Sequence, residues 1–295
     1  MTKAATARIG RGVLLLLAAA LVLLVAGGCS GTPAPTVDVA SSTAVPTAAP
    51  TVPLPTATAT AITPAVASVA IPDAQRAVLP STAGPRAGAA RVVDRFGVAR
   101  REVALTFDAG ADVGYAAEIL DTLSRQQVVA SFGMTGVWAE RNPALVRRMV
   151  DEGHQLMNHT YDHSSFTGVS TRAGAMPPSR RREQIERTEA IVRSIAGVDM
   201  RPYFRPPYGD YDTTVNADIA DSGYRFNVMW TVDSLGWNGL PAGGIVQRCL
   251  QRATPGAIFV FHVGAASQDA AALSAIIEGL RRDGYTFATV RQMDG

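Results

Sequence analysis

From residue 100 onward the chain alternates short β-rich runs with runs of helical spacing, and this alternation limits the fold more than any other feature. β-rich runs fall at 102–108, 128–135, 155–159, 203–205, 226–232, 258–262 and 287–290. Between them lie helix-patterned stretches at 115–125, 142–152, 180–195, 213–222, 243–252 and 270–283. Ile119, Leu120 and Leu123 share one face of the first, and Pro143 and Gly153 bracket the second as a start and a stop. Parallel neighbours require crossovers of a dozen or more residues, so strict alternation predicts an α/β fold with a parallel sheet. About seven strands suit a distorted, incomplete (β/α) barrel better than a closed eight-fold one. No internal repeat is visible.

Asp108, His159, Arg205, Asp233 and His262 each stand at or just beyond the C-terminal end of a predicted strand. In a parallel barrel those ends converge on one face, where chemistry is sited. Three of the four histidines lie between His154 and His163. His159 and His163 are four apart; on a helical turn they would share one face and reach one metal ion, or form a structural or solvated pair. Thr106-Phe107-Asp108-Ala109-Gly110 offers a general base, or a carboxylate that caps the next helix. Tyr203-Phe204-Arg205-Pro206-Pro207-Tyr208-Gly209 ends in a stiff turn, because proline restricts both itself and its predecessor. That turn holds Arg205 beside a buried carboxylate or is purely structural. Phe259-Val260-Phe261-His262 ends an apolar strand in a lone histidine, a proton donor or a satisfied core residue.

Composition narrows the partners. The formal net charge is +2 and Lys3 is the only lysine. A small, dispersed charge excludes electrostatic nucleic-acid binding, which needs a concentrated basic face. Arg180, Arg181 and Arg182 form one dense basic run, expected as the solvated start of a helix. Cys29 and Cys249 lack metal-site spacing, and Cys249 is expected as a small buried apolar residue. Lys3, Arg8 and Arg11 precede an apolar run at 13–26, followed by Ala26-Gly27-Gly28-Cys29. Residues 1–29 therefore predict a signal peptide with a lipobox-like end, lipidated at Cys29; an uncleaved anchor or simple secretion would equally place the domain outside the cytoplasmic membrane. Residues 30–95, rich in Thr, Pro and Ala, predict a flexible linker that holds a domain at 96–295 away from the membrane. A monomer is expected.

In order, these motifs resemble the polysaccharide deacetylase family, also called the NodB-homology domain or carbohydrate esterase family four. The resemblance runs from Arg101 to Met293 and includes Ser131-Phe132-Gly133-Met134-Thr135-Gly136, Glu152-Gly153-His154 and Gly284-Tyr285-Thr286-Phe287-Ala288-Thr289. It implies a divalent metal, zinc most often and cobalt as an alternative, held by His159 and His163. It makes Asp108 the catalytic base, Arg205 its orienting partner and His262 the catalytic acid. The main chain around Tyr208 would help bind an oxyanion, and Trp237 with Phe261 would wall the acetyl pocket. The substrate implied is an acetylated polysaccharide, peptidoglycan- or chitin-like, that loses N-acetyl groups. An O-acetyl glycan esterase and a non-catalytic glycan-binding protein are the rivals. Two departures stand out. Ala109 occupies the place of a metal-ligating aspartate, leaving Asp112 or a water to fill the vacancy. Gly236 stands where an aspartate often precedes the tryptophan, leaving Asp233 as the candidate partner of Arg205 or His262.

Overall fold

The computed structural model describes residues 88–110 and 112–295. The expected signal peptide at 1–29 and most of the expected linker lie outside the described residues. Nine strands and eight α-helices are present among those described. The strands are β1 (Arg91–Val93), β2 (Glu102–Ala109), β3 (Ser131–Met134), β4 (Gln155–Asn158), β5 (Tyr203–Phe204), β6 (Phe226–Val228), β7 (Val232–Asp233), β8 (Ile258–His262) and β9 (Thr286–Phe287). The helices are α1 (Ala116–Arg125), α2 (Gly136–Arg141), α3 (Pro143–Asp151), α4 (Pro178–Ala196), α5 (Thr213–Asp221), α6 (Ala242–Arg252), α7 (Asp269–Arg282) and α8 (Val290–Asp294). The sheet order is β1-β6-β5-β4-β3-β2-β8-β7, with β9 attached to β2, and every strand pairing is parallel. This is an open half-barrel, the distorted and incomplete barrel that the alternation predicts.

The period-two alternation of the central strands builds two cores. On β2, Val103, Leu105 and Phe107 face the helices, while Ala104 belongs to the cluster on the opposite face. Phe107 stacks on Phe132 of β3 and on Phe261 of β8, with ring centroids 5.2 and 5.3 Å apart. Burial of each such ring contributes roughly 1.5–3 kcal/mol. The second cluster, with Ala104, Met157, Phe226, Val228 and Ile258, fills the inner wall near the strand starts. Asp108 and His262 lie opposite each other in the β2–β8 register at the other end. The sheet therefore carries an apolar base and a polar rim.

Four expectations change. The run 226–232, expected as one strand, divides: β6 sits between β1 and β5, whereas β7 pairs with β8 at the far edge. The run is rich in β-forming residues throughout, so local pattern does not reveal the crossing at Met229–Thr231. Similarly, β9 ends at Phe287 because Thr289 caps α8, accepting from the Gln292 amide in a reciprocal capping box. The sheet also begins earlier than residue 96. β1 pairs with β6 and carries buried Val93, but three residues offer no periodicity to read. Finally, Arg181 is not solvated. It is buried on α4 with its guanidinium 2.6 Å from the Asp218 carboxylate of α5, while Arg180 and Arg182 are exposed. Removing one member of a buried pair strands the other charge in low dielectric. Replacing Arg181 by Met is expected to cost about 3 kcal/mol of unfolding free energy, measured by urea denaturation, against less than about 0.5 kcal/mol for Arg182→Met.

Candidate active site

The polar rim is organised around Asp108, which ends the buried strand β2. Its carboxylate is almost wholly buried, and its Oδ1 accepts a 2.8 Å hydrogen bond from Nη1 of Arg205. Arg205 has no exposed surface. Its Nε donates to the Val228 carbonyl (2.9 Å) and its Nη2 to the Met229 carbonyl (3.3 Å), and Trp230 covers the guanidinium plane at 5.6 Å. The arginine thus leaves β5, reaches across the β6 terminus and clamps a single oxygen of Asp108. Burial alone would push Asp108 upward, but Arg205, His159 and His262 outweigh it and hold the carboxyl below its ordinary range. Asp108 is therefore ionised at neutral pH, with Oδ2 left for other work. Gly133, its neighbour across β3, makes room: a Cβ there would lie 2.7 Å from Asp108 Oδ1.

His159 follows β4. Its Nδ1 lies 2.8 Å from the Arg205 carbonyl, an acceptor, so Nδ1 carries the proton and Nε2 holds the lone pair. That Nε2 is buried without a hydrogen-bond partner and is 3.8 Å from Asp108 Oδ2. His163 lies alongside, with ring centroids 4.9 Å apart. The two imidazoles do not meet on a helical turn, as their spacing suggests. Thr160 and His163 both have left-handed φ values, 69° and 65°, so the segment folds back on itself. Gln184 of α4 holds it there: its Oε1 accepts from the Tyr161 and Asp162 amides, and its Nε2 donates to the Asp162 carboxylate. Asn158 Oδ1 accepts from the Thr160 amide. Gly110 leaves space for the second ring, since a Cβ would stand 2.8 Å from His163 Cδ2. Burial lowers both imidazoles, His163 to about 4, so both are neutral at pH 7, the form that binds a metal.

A bare imidazole nitrogen aimed at a free carboxylate oxygen, with a second neutral imidazole adjacent, fits a divalent cation. The described residues contain no group of three His, Cys, Asp or Glu side chains arranged to hold one. Asp112 does not complete the set here. It is exposed, and its Oδ1 accepts from the Ala265 amide at 2.9 Å. Ala109 is fully buried in the helix-side core.

Two further expectations change on the opposite rim, and one residue is added. Asp233 partners neither Arg205 nor His262; its carboxylate accepts from the Leu235 amide and the Trp237 indole. Phe261 does not wall a substrate pocket, because strand alternation turns it from the His262 face into the stack on Phe107. The carboxylate closest to the His262 ring belongs to Asp269, which the sequence reading missed: at the start of a helix it reads as an ordinary first-turn acid. Trp237 and Tyr208 do frame the rim. Trp237 is half exposed with its ring 6.4 Å from His262, and Tyr208 stacks edge-on to His163 at 4.7 Å. The φ of 63° at Tyr208 shapes the tight turn after Pro207.

Residues 97–227 match the family described as polysaccharide deacetylase. A peptidoglycan-N-acetylglucosamine deacetylase of Bacillus cereus is 34% identical over 197 residues, covering 66% of this chain and 68% of the relative. The chain belongs to the polysaccharide deacetylase family. Among solved structures, this family member resembles a peptidoglycan N-acetylglucosamine deacetylase bound to an N-hydroxybenzamide ligand, with a TM-score of 0.63 and 31% identity over 68% of this chain and 92% of that one. It also resembles a carbohydrate esterase family 4 pseudoenzyme from Bacillus anthracis, with a TM-score of 0.62 and 25% identity over 69% of this chain and 68% of that one.

In this deacetylase-family chain the position of the Asp108 carboxylate depends on a missing side chain at 133. Gly133→Ala is expected to displace it and reduce acetate release by about 100-fold, the scale of an ångström-level misplacement, and to lower the melting temperature because the buried Asp108–Arg205 pair is disturbed. Matched activity and melting measurements on the two proteins check this.

Proposed function

We propose that this protein is an exported, divalent-metal-dependent N-deacetylase acting on the amino sugars of peptidoglycan. The observation that carries the reading is the Asp108 carboxylate, clamped through Oδ1 by Arg205 while Oδ2 faces the bare Nε2 of His159. The names of the B. cereus relative and of the similar solved structure support peptidoglycan N-acetylglucosamine as the substrate class. The charge pattern at residues 1–29 supports export, with Cys29 as the lipid attachment point.

His159 and His163 would hold the cation, zinc by preference for imidazole ligands. When bound, it supplies Lewis acidity toward the amide carbonyl and the attacking water. Asp108, kept ionised by Arg205, accepts the proton that water gives up as it attacks the acetyl carbon. The C–N bond then breaks, and the departing nitrogen takes a proton from His262, so that acetate and a free amine leave. His262 suits this step because its side chain is about one-third exposed at the rim rather than buried like His159. The main chain around Tyr208 supplies a donor to the oxyanion. Trp237 flanks His262 and excludes water from the acetyl group. A cavity of about 500 Å³, lined by His163, Tyr208, Ser164, Ser165 and residues between Thr171 and Pro177, gives the neighbouring saccharide a place to lie. Asp210 shapes the loop that carries them, accepting from the Ser165 and Ser170 hydroxyls and the Ser170 amide.

A second reading, a glycan-binding protein without turnover, draws on the likeness to the pseudoenzyme and on the absence of Asp112 from the His159–His163 cluster. Acetate release separates the two. With peptidoglycan or chitin oligomers as substrate, wild type is expected to release acetate and to stop on addition of chelator. His159→Ala is expected to lose at least about 100-fold in kcat/KM and to lose zinc binding in calorimetry. Glycan binding with no acetate release in added zinc or cobalt would establish the binder instead.

A further inference from the structure

Behind His262 lies a fully buried carboxylate that no assignment above uses. Asp269, the first residue of α7, has no exposed surface, and its Oδ2 accepts the His262 main-chain amide at 2.8 Å. The same oxygen is 3.9 Å from Nδ1 of the His262 ring. That Nδ1 is buried without a hydrogen-bond partner. A buried imidazole nitrogen without a partner is costly, and the Asp269 Oδ2 nearby is an acceptor that could satisfy it. Their separation exceeds hydrogen-bond length, as is common for catalytic contacts before substrate binds.

The space for this carboxylate comes from Gly236. A Cβ on Gly236 would stand 2.4 Å from Asp269 Oδ1 and 2.6 Å from Ser267 Oγ, so any side chain at 236 would compete for the volume. Burial pushes Asp269 above the usual carboxylate range, against hydrogen bonds from the His262 amide, Ser267 and Ser234. A carboxylate that is costly to charge alone gains most when the imidazole beside it takes up a proton.

We infer that Asp269 is the positioning residue of His262: its carboxyl turns the ring so that Nδ1 faces the protein and Nε2 faces the departing amine of the substrate. The bland account is a first-turn acid that only caps the His262 amide and favours the N-terminus of α7. That account predicts a loss of stability and no effect on the ring.

The inference rests on the reading of His262 as proton donor, and two readouts keep the ideas separate. The first is the ¹⁵N shift pattern of the histidine rings in the full chain, which reports the tautomer and needs no turnover. Wild-type His262 is expected to carry its neutral-form proton on Nδ1, and Asp269→Ala to shift it toward Nε2. The second readout is steady-state acetate release. Asp269→Asn keeps the size of the side chain and an acceptor for the amide. It is expected to lower kcat by at least about tenfold with KM within about twofold. Gly236→Asp combined with Asp269→Ala returns a carboxylate to the same space and is expected to recover most of that loss. A wild-type His262 ring protonated on Nε2, or full kcat in Asp269→Asn, would overturn the inference. Should wild type release no acetate, the proposed function fails, and the ring tautomer alone decides this one. Should Asp269→Ala fail to fold, the wild-type tautomer and the Asn variant still decide it.

Discussion

The site depends on one buried ion pair. Asp108 and Arg205 come from strands with β3 and β4 between them, and neither can be charged in the protein interior without the other. A buried ion pair is tolerated when its remaining donors and acceptors are satisfied, and Arg205 spends its other hydrogen bonds on the carbonyls that end β6. The pair therefore ties the termini of β2, β5 and β6 into one rim. It also divides the carboxylate: one oxygen is committed to the arginine, and the other faces His159. Ion-pair geometry and chemical readiness are the same fact here.

The imidazole side of the rim is held by a second network, rooted in α4. Gln184 grips the turn that carries His163, and Asn158 Nδ2 donates to the Ile185 carbonyl and the Tyr224 hydroxyl while its Oδ1 accepts from the Thr160 amide. Tyr224 in turn donates to Glu189, again on α4. The strained, left-handed residues at 160 and 163 persist because surrounding hydrogen bonds over-determine them. A neutral His163 beside a neutral His159 follows from burial in that turn, and neutrality leaves lone pairs for a cation.

Ala109 and Gly236 are linked by a common theme. Each replaces a carboxylate that the family resemblance leads one to expect, and neither replacement leaves the rim without acids. Asp108 remains clamped, and the volume above Gly236 is filled by Asp269 from a different element. Likeness to both a deacetylase and a pseudoenzyme fits a scaffold on which activity turns on a few rim positions rather than on the fold.

Much of this was legible in the sequence, for a local reason. Hydrophobic period and strand–helix alternation are properties of neighbouring residues, so they marked β2, β8 and α5 to α7 to within a residue or two, and the parallel half-barrel with them. The same logic placed Asp108, His159, Arg205 and His262 at strand ends, where a parallel sheet must gather them. What lay beyond local reading was every relation set by approach across space. The split of 226–232 into strands at opposite ends of the sheet, the burial of Arg181 against Asp218 and the inward turn of Asp269 each depend on a partner distant in the chain. Asp112 and Asp233 had suitable types and spacings but were claimed by nearby main-chain amides and an indole, and Phe261 followed the pleat to the opposite face. Sequence by itself determined which residues reach the rim. Tertiary structure decided which of them face one another, because a side chain's partner is set by the packing of strands and helices, and no local pattern encodes it.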